Sequence, residues 1–164
     1  ISNPRFPLAE SEQKKLVKLY LNDVGVLTYL LYDLNVNAVL QDIKSINLGT
    51  VYESVVAQEL VAHGFKLHYY DNKQKGEVDF LIDDHDNLTV LPLEIKSGKD
   101  YTKHSALTKF LDTPEYGINQ AFVFSNEREI FKKKGVTYLP VYYCMFLQNK
   151  HHDDSVILPE LESV

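Results

Sequence analysis

Apolar residues recur at helical spacing in two stretches of the first half of the chain. Residues 24–34 carry them at positions that favour a helix, and Asp23 stands where it can cap the first turn. Residues 48–63 are apolar nearly all round and are followed by Gly64, which favours a largely buried helix with a clear stop. Weaker patterns predict a strand at residues 15–21 and a short helix at residues 37–43.

From residue 65 onward the pattern changes to β-rich runs that are separated by turn residues. These runs predict strands at residues 65–70, 77–83, 88–97, 121–124 and 136–143. A cluster of turn-forming residues at 83–87 joins the second run to the third, and residues 104–111 predict a further helix. The order helix, three strands, helix, strand predicts a mixed α/β domain built around a central sheet.

The composition indicates one globular domain with short extensions. The chain has 164 residues, of which 45% are hydrophobic and 24% are charged, values that exclude a disordered or collagen-like chain. We predict an N-terminal arm or linker at 1–14, a domain at 15–148 with an N-terminal strand–helix extension at 15–47, and a C-terminal tail at 149–164. Residues 23–34 are too apolar for a free linker, so we expect them to pack on the domain.

Cysteine content and terminal sequence bear on the compartment. The single cysteine, Cys144, excludes an internal disulfide and a cysteine-based zinc site. The first residues lack the basic-then-apolar order of a secretory signal, and no apolar run approaches the ~20 residues that span a bilayer. We therefore expect a cytoplasmic protein with no membrane partner. The chain begins at Ile1 and its only methionine is Met145, so we also expect a longer full-length protein.

Four charged residues of the second and third strand runs are predicted to meet on one face of a hairpin. If an even-length turn is centred on residues 86–87, Asp79 faces Glu94 and Glu77 faces Lys96. Residues two apart on a strand share a face, so all four project to the same side. The opposite, apolar face would then consist of Val78, Phe80, Ile82, Leu93 and Ile95.

Opposed carboxylates suggest a cation. Like charges at this spacing cost on the order of 1 kcal/mol at high dielectric, whereas a divalent cation between Asp79 and Glu94 reverses the sign, and hard oxygen ligands suit Mg²⁺ or Mn²⁺. Glu53 adds a third carboxylate on an apolar stripe of the second predicted helix. Alternatively, Lys96 merely neutralises Glu77 across the hairpin. A plain structural domain with charged strands would leave Asp79 and Glu94 far apart or on opposite faces.

Four short stretches follow one another along the chain: KLYLNDVGVL at 18–27, GTVYESVVAQEL at 49–60, GEVDF at 76–80 and LEIKSG at 93–98. Together they resemble the PD-(D/E)XK nuclease superfamily, and more closely the C-terminal nuclease-like domain of unknown function found on bacterial and archaeal AAA-type ATPases. The proline of the superfamily's name is replaced by Val78. The resemblance implies a restriction-endonuclease-like core: helix, three-strand meander, helix and strand, with a mixed central sheet flanked by helices.

The resemblance also implies an activity. The active-site quartet would be Glu53, Asp79, Glu94 and Lys96, and Asp79 and Glu94 would hold Mg²⁺ or Mn²⁺ together with the carbonyl of Ile95. The domain would then be a metal-dependent nuclease that hydrolyses phosphodiester bonds in DNA. Lys96 would orient the attacking water or stabilise the transition state, and Glu53 would position a water or help a second metal ion. The alternative is a nuclease-like fold that no longer cuts and serves as an interaction or regulatory module of the ATPase.

The expected partners are DNA and the ATPase domain upstream in the same full-length chain. ATP would be bound by that domain, because this chain contains no Gly-x-x-x-x-Gly-Lys-Ser/Thr phosphate loop. The formal net charge is −6, which argues against tight non-specific DNA binding by this domain alone. Local basic candidates are Lys99, Lys103 and Lys109, with a second group at Arg128 and residues 132–134. A solvated surface is an equally good interpretation of these basic residues.

Overall fold

The computed structural model describes residues 1–13, 17–33 and 48–149. The strands are β1 (His68–Asn72), β2 (Gly76–Asp84), β3 (Thr89–Lys96), β4 (Ala121–Ser125), β5 (Phe131–Lys133) and β6 (Val136–Pro140). The α-helices are α1 (Val24–Tyr32), α2 (Gly49–Ala62) and α3 (Ser105–Leu111). Short 3₁₀ helices occur at Leu8–Ser11, Pro114–Tyr116 and Val141–Phe146.

Within the described residues, six strands form one mixed sheet in the order β1–β2–β3–β4–β6–β5. Strands β1, β2 and β3 form an antiparallel meander, β3 is parallel to β4, β4 is parallel to β6, and β5 closes the edge as an antiparallel neighbour of β6. Helix α3 lies in the connection between the parallel strands β3 and β4. The predicted order of helix, three strands, helix and strand is therefore confirmed, and the architecture is compatible with a restriction-endonuclease-like core.

Alternating side chains of the sheet fill two apolar layers. On one face Leu60 of α2 packs with Phe80 and Leu93. On the other face Phe110 of α3 and Leu8 of the N-terminal arm pack in a separate cluster. Each of these side chains is at most 1% exposed, and full burial of such a side chain contributes roughly 1.5–3 kcal/mol. The helices α2 and α3 thus hold the sheet between them.

The N-terminal residues contact this core unequally. The N–H of Leu8 donates to Asp83 Oδ1 at 2.9 Å, so the arm is tied to β2. Asp23 caps α1 as predicted, since its Oδ1 accepts from the N–H of Val26 at 2.9 Å. Helix α1 touches α2 but buries none of its own residues, and Leu30 is 68% exposed. The packing expected for residues 23–34 is therefore one-sided in its described part, residues 23–33.

Several boundaries differ from the prediction. Residues 17–21 belong to no strand, so the strand expected at 15–21 is wrong in its described part. The last predicted strand ends at Pro140, because a 3₁₀ helix replaces it from Val141 onward. The helix predicted at 37–43 and all of the tail except Asn149 lie outside the described residues. Among the helices that the structure describes, every one falls short of the length and apolar character needed to cross a membrane.

Candidate active site

The predicted register of the β2–β3 hairpin is confirmed over the residues that pair, 80–84 with 89–93, whereas the two predicted charged pairs lie beyond the end of the ladder. Phe80 pairs with Leu93 and lies at the end of the ladder between the two strands. Beyond this pair, the backbone N–H of Ile95 donates to Asp79 Oδ2 at 2.7 Å instead of extending the ladder. The Asp79 carboxylate therefore occupies the gap where β2 and β3 separate, next to Glu94.

A bulge in β2 helps to place Asp79 in this gap. His68 of β1 is opposite Leu81, whereas Tyr70 is opposite Val78, so β2 carries one more residue than β1 over the same interval. Val78 consequently packs with Leu81 on the α3 side, while Phe80 packs on the α2 side. The predicted common face for Val78 and Phe80 is wrong, because the extra residue breaks the alternation of side chains at Asp79.

Glu94 is the most deeply buried acidic group of the site. Its side chain is 6% exposed, and Oε1 lies 2.6 Å from Nζ of Lys96. Its other oxygen, Oε2, is buried and has no hydrogen-bond partner among the described residues. Burial and then the charge of Asp79 raise the pKa of Glu94 to about 7, although Lys96 and the backbone N–H of Asp79 oppose the shift. A buried carboxylate oxygen without a partner is costly, and a bound cation would remove that cost.

The pKa values of the two neighbouring carboxylates, Asp79 and Glu53, are shifted in the same direction. Burial raises the pKa of Asp79, although the N–H of Ile95 and two nearby lysines oppose the shift. Burial also raises the pKa of Glu53, and the charge of Asp79 adds to it, which brings the α2 carboxylate within electrostatic reach of the β2 carboxylate. The charge of Asp79 thus raises the pKa values of both Glu94 and Glu53. Such a group of carboxylates creates a negative potential that favours a cation.

The ion pairs of the site differ from the pairing of Lys96 with Glu77 that the hairpin register suggested. Lys96 binds Glu94 on its own strand, so the alternative in which it neutralises Glu77 across the hairpin is wrong. Glu77 pairs with Lys18, whose Nζ also lies 3.9 Å from Glu53 Oε2. Asp79, Glu94 and Lys96 are thus brought together at the end of the hairpin, and Glu53 of α2 lies within electrostatic reach of Asp79 and Lys96. A plain structural domain that leaves Asp79 and Glu94 far apart does not account for this arrangement.

A wall of the site comes from residues 17–22, to which sequence reasoning assigned no role. The ring of Tyr20 lies 5.4 Å from that of Phe80, between ring centroids. Its hydroxyl is buried without a partner among the described residues, and burial raises the pKa of Tyr20 to about 12. Lys18 and Tyr20 both lie in the first stretch that carries the family resemblance, which was the available signal.

The donor set suits a small, hard cation with water in its shell. Within the described ranges, no group of three or more His, Cys, Asp or Glu side chains is arranged to hold a metal ion. Asp79 and Glu94 provide two carboxylates, and the carbonyl of Ile95 is the third donor implied by the resemblance. Mg²⁺ in proteins is commonly bound through one or two carboxylates and keeps several waters, so these residues fit Mg²⁺ or Mn²⁺.

The candidate DNA-binding residues all lie on the surface. Lys99 and Lys103 are exposed in the loop after β3, where Lys103 Nζ lies 2.8 Å from Asp100 Oδ1, and Lys109 is exposed on α3. Arg128 and residues 132–134 are exposed between β4 and β6. A role for these basic residues in DNA contact stays a prediction.

The fold and the acidic centre together define a mixed α/β domain with a carboxylate–lysine cluster at the end of its central hairpin. The model of the family described as "Domain of unknown function (DUF4143)" matches residues 48–144. The match covers more than half of the chain, which therefore belongs to this family. Members are typically found at the C-terminus of AAA ATPases. No curated protein and no solved structure matches the chain.

Proposed function

We propose that this domain is a PD-(D/E)XK nuclease that hydrolyses phosphodiester bonds of DNA with the help of Mg²⁺, as the C-terminal part of an AAA-type ATPase. The observation that carries the proposal is the buried Oε2 of Glu94, which has no partner among the described residues and lies beside Asp79. Burying two carboxylates side by side is unfavourable, whereas a divalent cation between them would stabilise both.

The residues of the site divide into a cation-binding half and a charge-stabilising half. Asp79 and Glu94 would hold Mg²⁺ with the Ile95 carbonyl, and the N–H of Ile95 already fixes the orientation of the Asp79 carboxylate at 2.7 Å. When bound, the ion would polarise the scissile phosphate and lower the pKa of a coordinated water. Glu53 lies across the cleft on α2, where its carboxylate can accept a hydrogen bond from a water and orient it.

Lys96 would supply positive charge at the reacting phosphate. Burial alone would lower the pKa of Lys96, but the hydrogen bond to Glu94 and the nearby charge of Asp79 raise it overall, so the side chain stays an ammonium. An ammonium held in a partly buried site stabilises negative charge that develops in the transition state. The side chain is 31% exposed, which leaves it accessible to a phosphate that enters from solvent.

A second candidate function is a nuclease-like module that binds a protein and does not cut. Two observations favour it: the formal net charge of −6 with only two arginines, and the exposed apolar side chains of α1, among them Leu30 at 68% and Tyr29 at 56% exposure. Apolar patches on a surface often mark protein contacts. This module would regulate the ATPase to which it is joined.

The test is cleavage of single-stranded, double-stranded and branched DNA in Mg²⁺ or Mn²⁺. Wild type is compared with Asp79→Asn and Lys96→Met, and Glu59→Gln serves as a matched control because Glu59 lies on α2 but pairs with His63 at 3.9 Å. We expect each site variant to lose on the order of 100-fold or more of the activity, while Glu59→Gln retains it.

Two results would decide against the proposal. Cleavage that persists in both site variants would assign the activity to another group or to a contaminant. A wild type that cuts none of the substrates, alone or joined to its ATPase, would favour the non-cutting module.

A further inference from the structure

Lys18 brings a cation into the acidic centre from outside the two strands. Its Nζ pairs with Glu77 and lies 3.9 Å from Glu53 Oε2. It also lies 5.3 Å from the centroid of the Tyr69 ring, so three sides of the ammonium are occupied by protein. Burial alone would lower the pKa of Lys18, but the hydrogen bond to Glu77 and the surrounding acidic groups raise it overall, so the side chain is charged.

The segment that carries Lys18 is held in place on both sides. Two residues further on, the Tyr20 ring packs against Phe80 of β2. The carbonyl of Leu21 accepts a hydrogen bond from Nε2 of Gln58 on α2 at 3.3 Å. Because α2 and β2 both hold this segment, the ammonium of Lys18 is positioned by the fold rather than by its own ion pairs alone.

The two lysines divide the acidic centre into two halves. Lys96 binds Glu94 in the inner half, where Oε2 of Glu94 is left without a partner among the described residues. Lys18 binds the outer half, formed by Glu53 and Glu77. Each half therefore already holds one ammonium group, but only the inner half keeps a buried carboxylate oxygen without a partner among the described residues.

The formal charges of the site match a single bound divalent cation. When all groups are ionised, the carboxylates of Glu53, Glu77, Asp79 and Glu94 carry four negative charges, and the ammonium groups of Lys18 and Lys96 carry two positive ones. The remaining charge of −2 is what one divalent cation neutralises. Without Lys18 the deficit would be larger, and the outer carboxylates would be open to a second ion.

We propose that Lys18 is a tethered cation that limits this site to one divalent metal ion, by occupying the place between Glu53 and Glu77 that a second ion would take. This inference rests on the proposed function, because it concerns the metal content of the same site. Lys18 would be a positioning residue that keeps the Glu53 carboxylate turned toward Asp79. Its ammonium would supply the positive charge that a second metal ion supplies in a two-metal site.

The experiment is a calorimetric titration of Mn²⁺ into wild type, Lys18→Met, Lys18→Arg and the double variant Lys18→Met/Glu53→Gln. Lys66→Met is the matched control, because Lys66 also pairs with a carboxylate, Glu12 at 2.7 Å, but its side chain is 67% exposed. Circular dichroism and thermal unfolding establish that each variant is folded. The readout is the number of ions bound, which does not depend on cleavage.

We expect one Mn²⁺ per chain in wild type, Lys18→Arg and Lys66→Met, two in Lys18→Met, and one again in the double variant. One ion in Lys18→Met, with the affinity of wild type, would overturn the inference and leave the proposed function intact. Asp79→Asn is titrated in parallel. Wild type that binds no Mn²⁺, or that binds it no more tightly than Asp79→Asn does, would instead contradict the proposed function and, with it, this inference.

Discussion

Glu94 shows how one residue can be unfavourable for folding and suited to chemistry. Its carboxylate projects from the buried strand β3, with one oxygen in an ion pair with Lys96 and the other without a partner among the described residues. The alternation of β3 fixes this position, because Leu93 and Ile95 on either side pack toward α2. A glutamine would have nearly the same shape without the charge, so the charge itself is what the site retains at a cost.

This cost predicts a dependence of stability on pH. Burial and the charge of Asp79 raise the pKa of Glu94 from its ordinary value of 4.5 to about 7. The folded state therefore holds a proton here that the unfolded state releases, and this contribution is complete below about pH 4.5 and lost as the pH rises through about 7. We expect Glu94→Gln to be more stable than wild type by about 2–3 kcal/mol near pH 8, and equal to it near pH 4.5.

Urea unfolding in EDTA at both pH values measures this difference, with exposed Glu115→Gln as the control that shows none. Equal stability of Glu94→Gln and wild type near pH 8 would mean that the charge of Glu94 does not destabilise the folded state.

At the scale of elements, the β5–β6 hairpin is a pair of strands that its polar sequence does not indicate. Three consecutive lysines at 132–134 indicate a solvated surface, yet β5 pairs there with β6 through a two-residue turn. The turn residues Lys134 and Gly135 have φ of 50° and 81°, the arrangement that suits the twist of a tight hairpin. The carbonyl of Gly135 also accepts from the N–H of Ala121 at 3.2 Å, which ties the turn to β4.

Two glycines give a matched test of this turn. Gly135 and Gly117 both have positive φ, but a Cβ at Gly135 would collide with the carbonyl oxygen of Asn119, whereas one at Gly117 would meet nothing within 4 Å. We expect Gly117→Ala to cost about 1 kcal/mol from backbone strain alone, and Gly135→Ala to cost about 3 kcal/mol or more. Chemical denaturation measures both free energies of unfolding. Equal losses of stability would show that the turn at Gly135 shifts to accommodate a Cβ at no extra cost.

At the scale of the whole molecule, the site depends on parts of the chain that are far apart in sequence. Residues 17–22, helix α2 and the strands β2 and β3 each contribute a wall or a charged group, and they meet where the β2–β3 ladder ends. A cation bound there would link these parts. Ligand binding to the folded state alone raises the stability of the entire domain.

Thermal unfolding therefore reports on the site. With Mn²⁺ at about 100 times its dissociation constant, binding adds about 2.7 kcal/mol, which corresponds to a rise in Tm of roughly 5–10 °C for a domain of this size. Differential scanning calorimetry with and without Mn²⁺ measures the shift, and Asp79→Asn should abolish it. A shift of the same size in Asp79→Asn would assign the stabilisation to ions bound elsewhere.

Local sequence was sufficient to predict the centre of the fold and insufficient to predict its edges. The turn after β2 and the apolar alternation fixed the pairing of Phe80 with Leu93, and the apolar stripe of α2 placed Glu53 toward the sheet. The bulge that moves Val78 to the other face has no local signal, because it arises from the pairing of β2 with β1. The exposure of α1 was missed for a related reason: an apolar helix predicts burial, but the sequence does not specify which surface buries it.

By itself, the sequence determined the order of the elements, the register of the central hairpin and the placement of Asp79, Glu94 and Lys96 near its end. These follow from periodicities of two and 3.6 residues and from one short turn, all of which act over a few positions. Tertiary structure alone decided that Lys96 binds Glu94, that Lys18 binds Glu77 and lies near Glu53, and that one oxygen of Glu94 is left without a partner in the described part of the chain. Such pairings depend on distances between segments remote in sequence, and only the packed fold sets those distances.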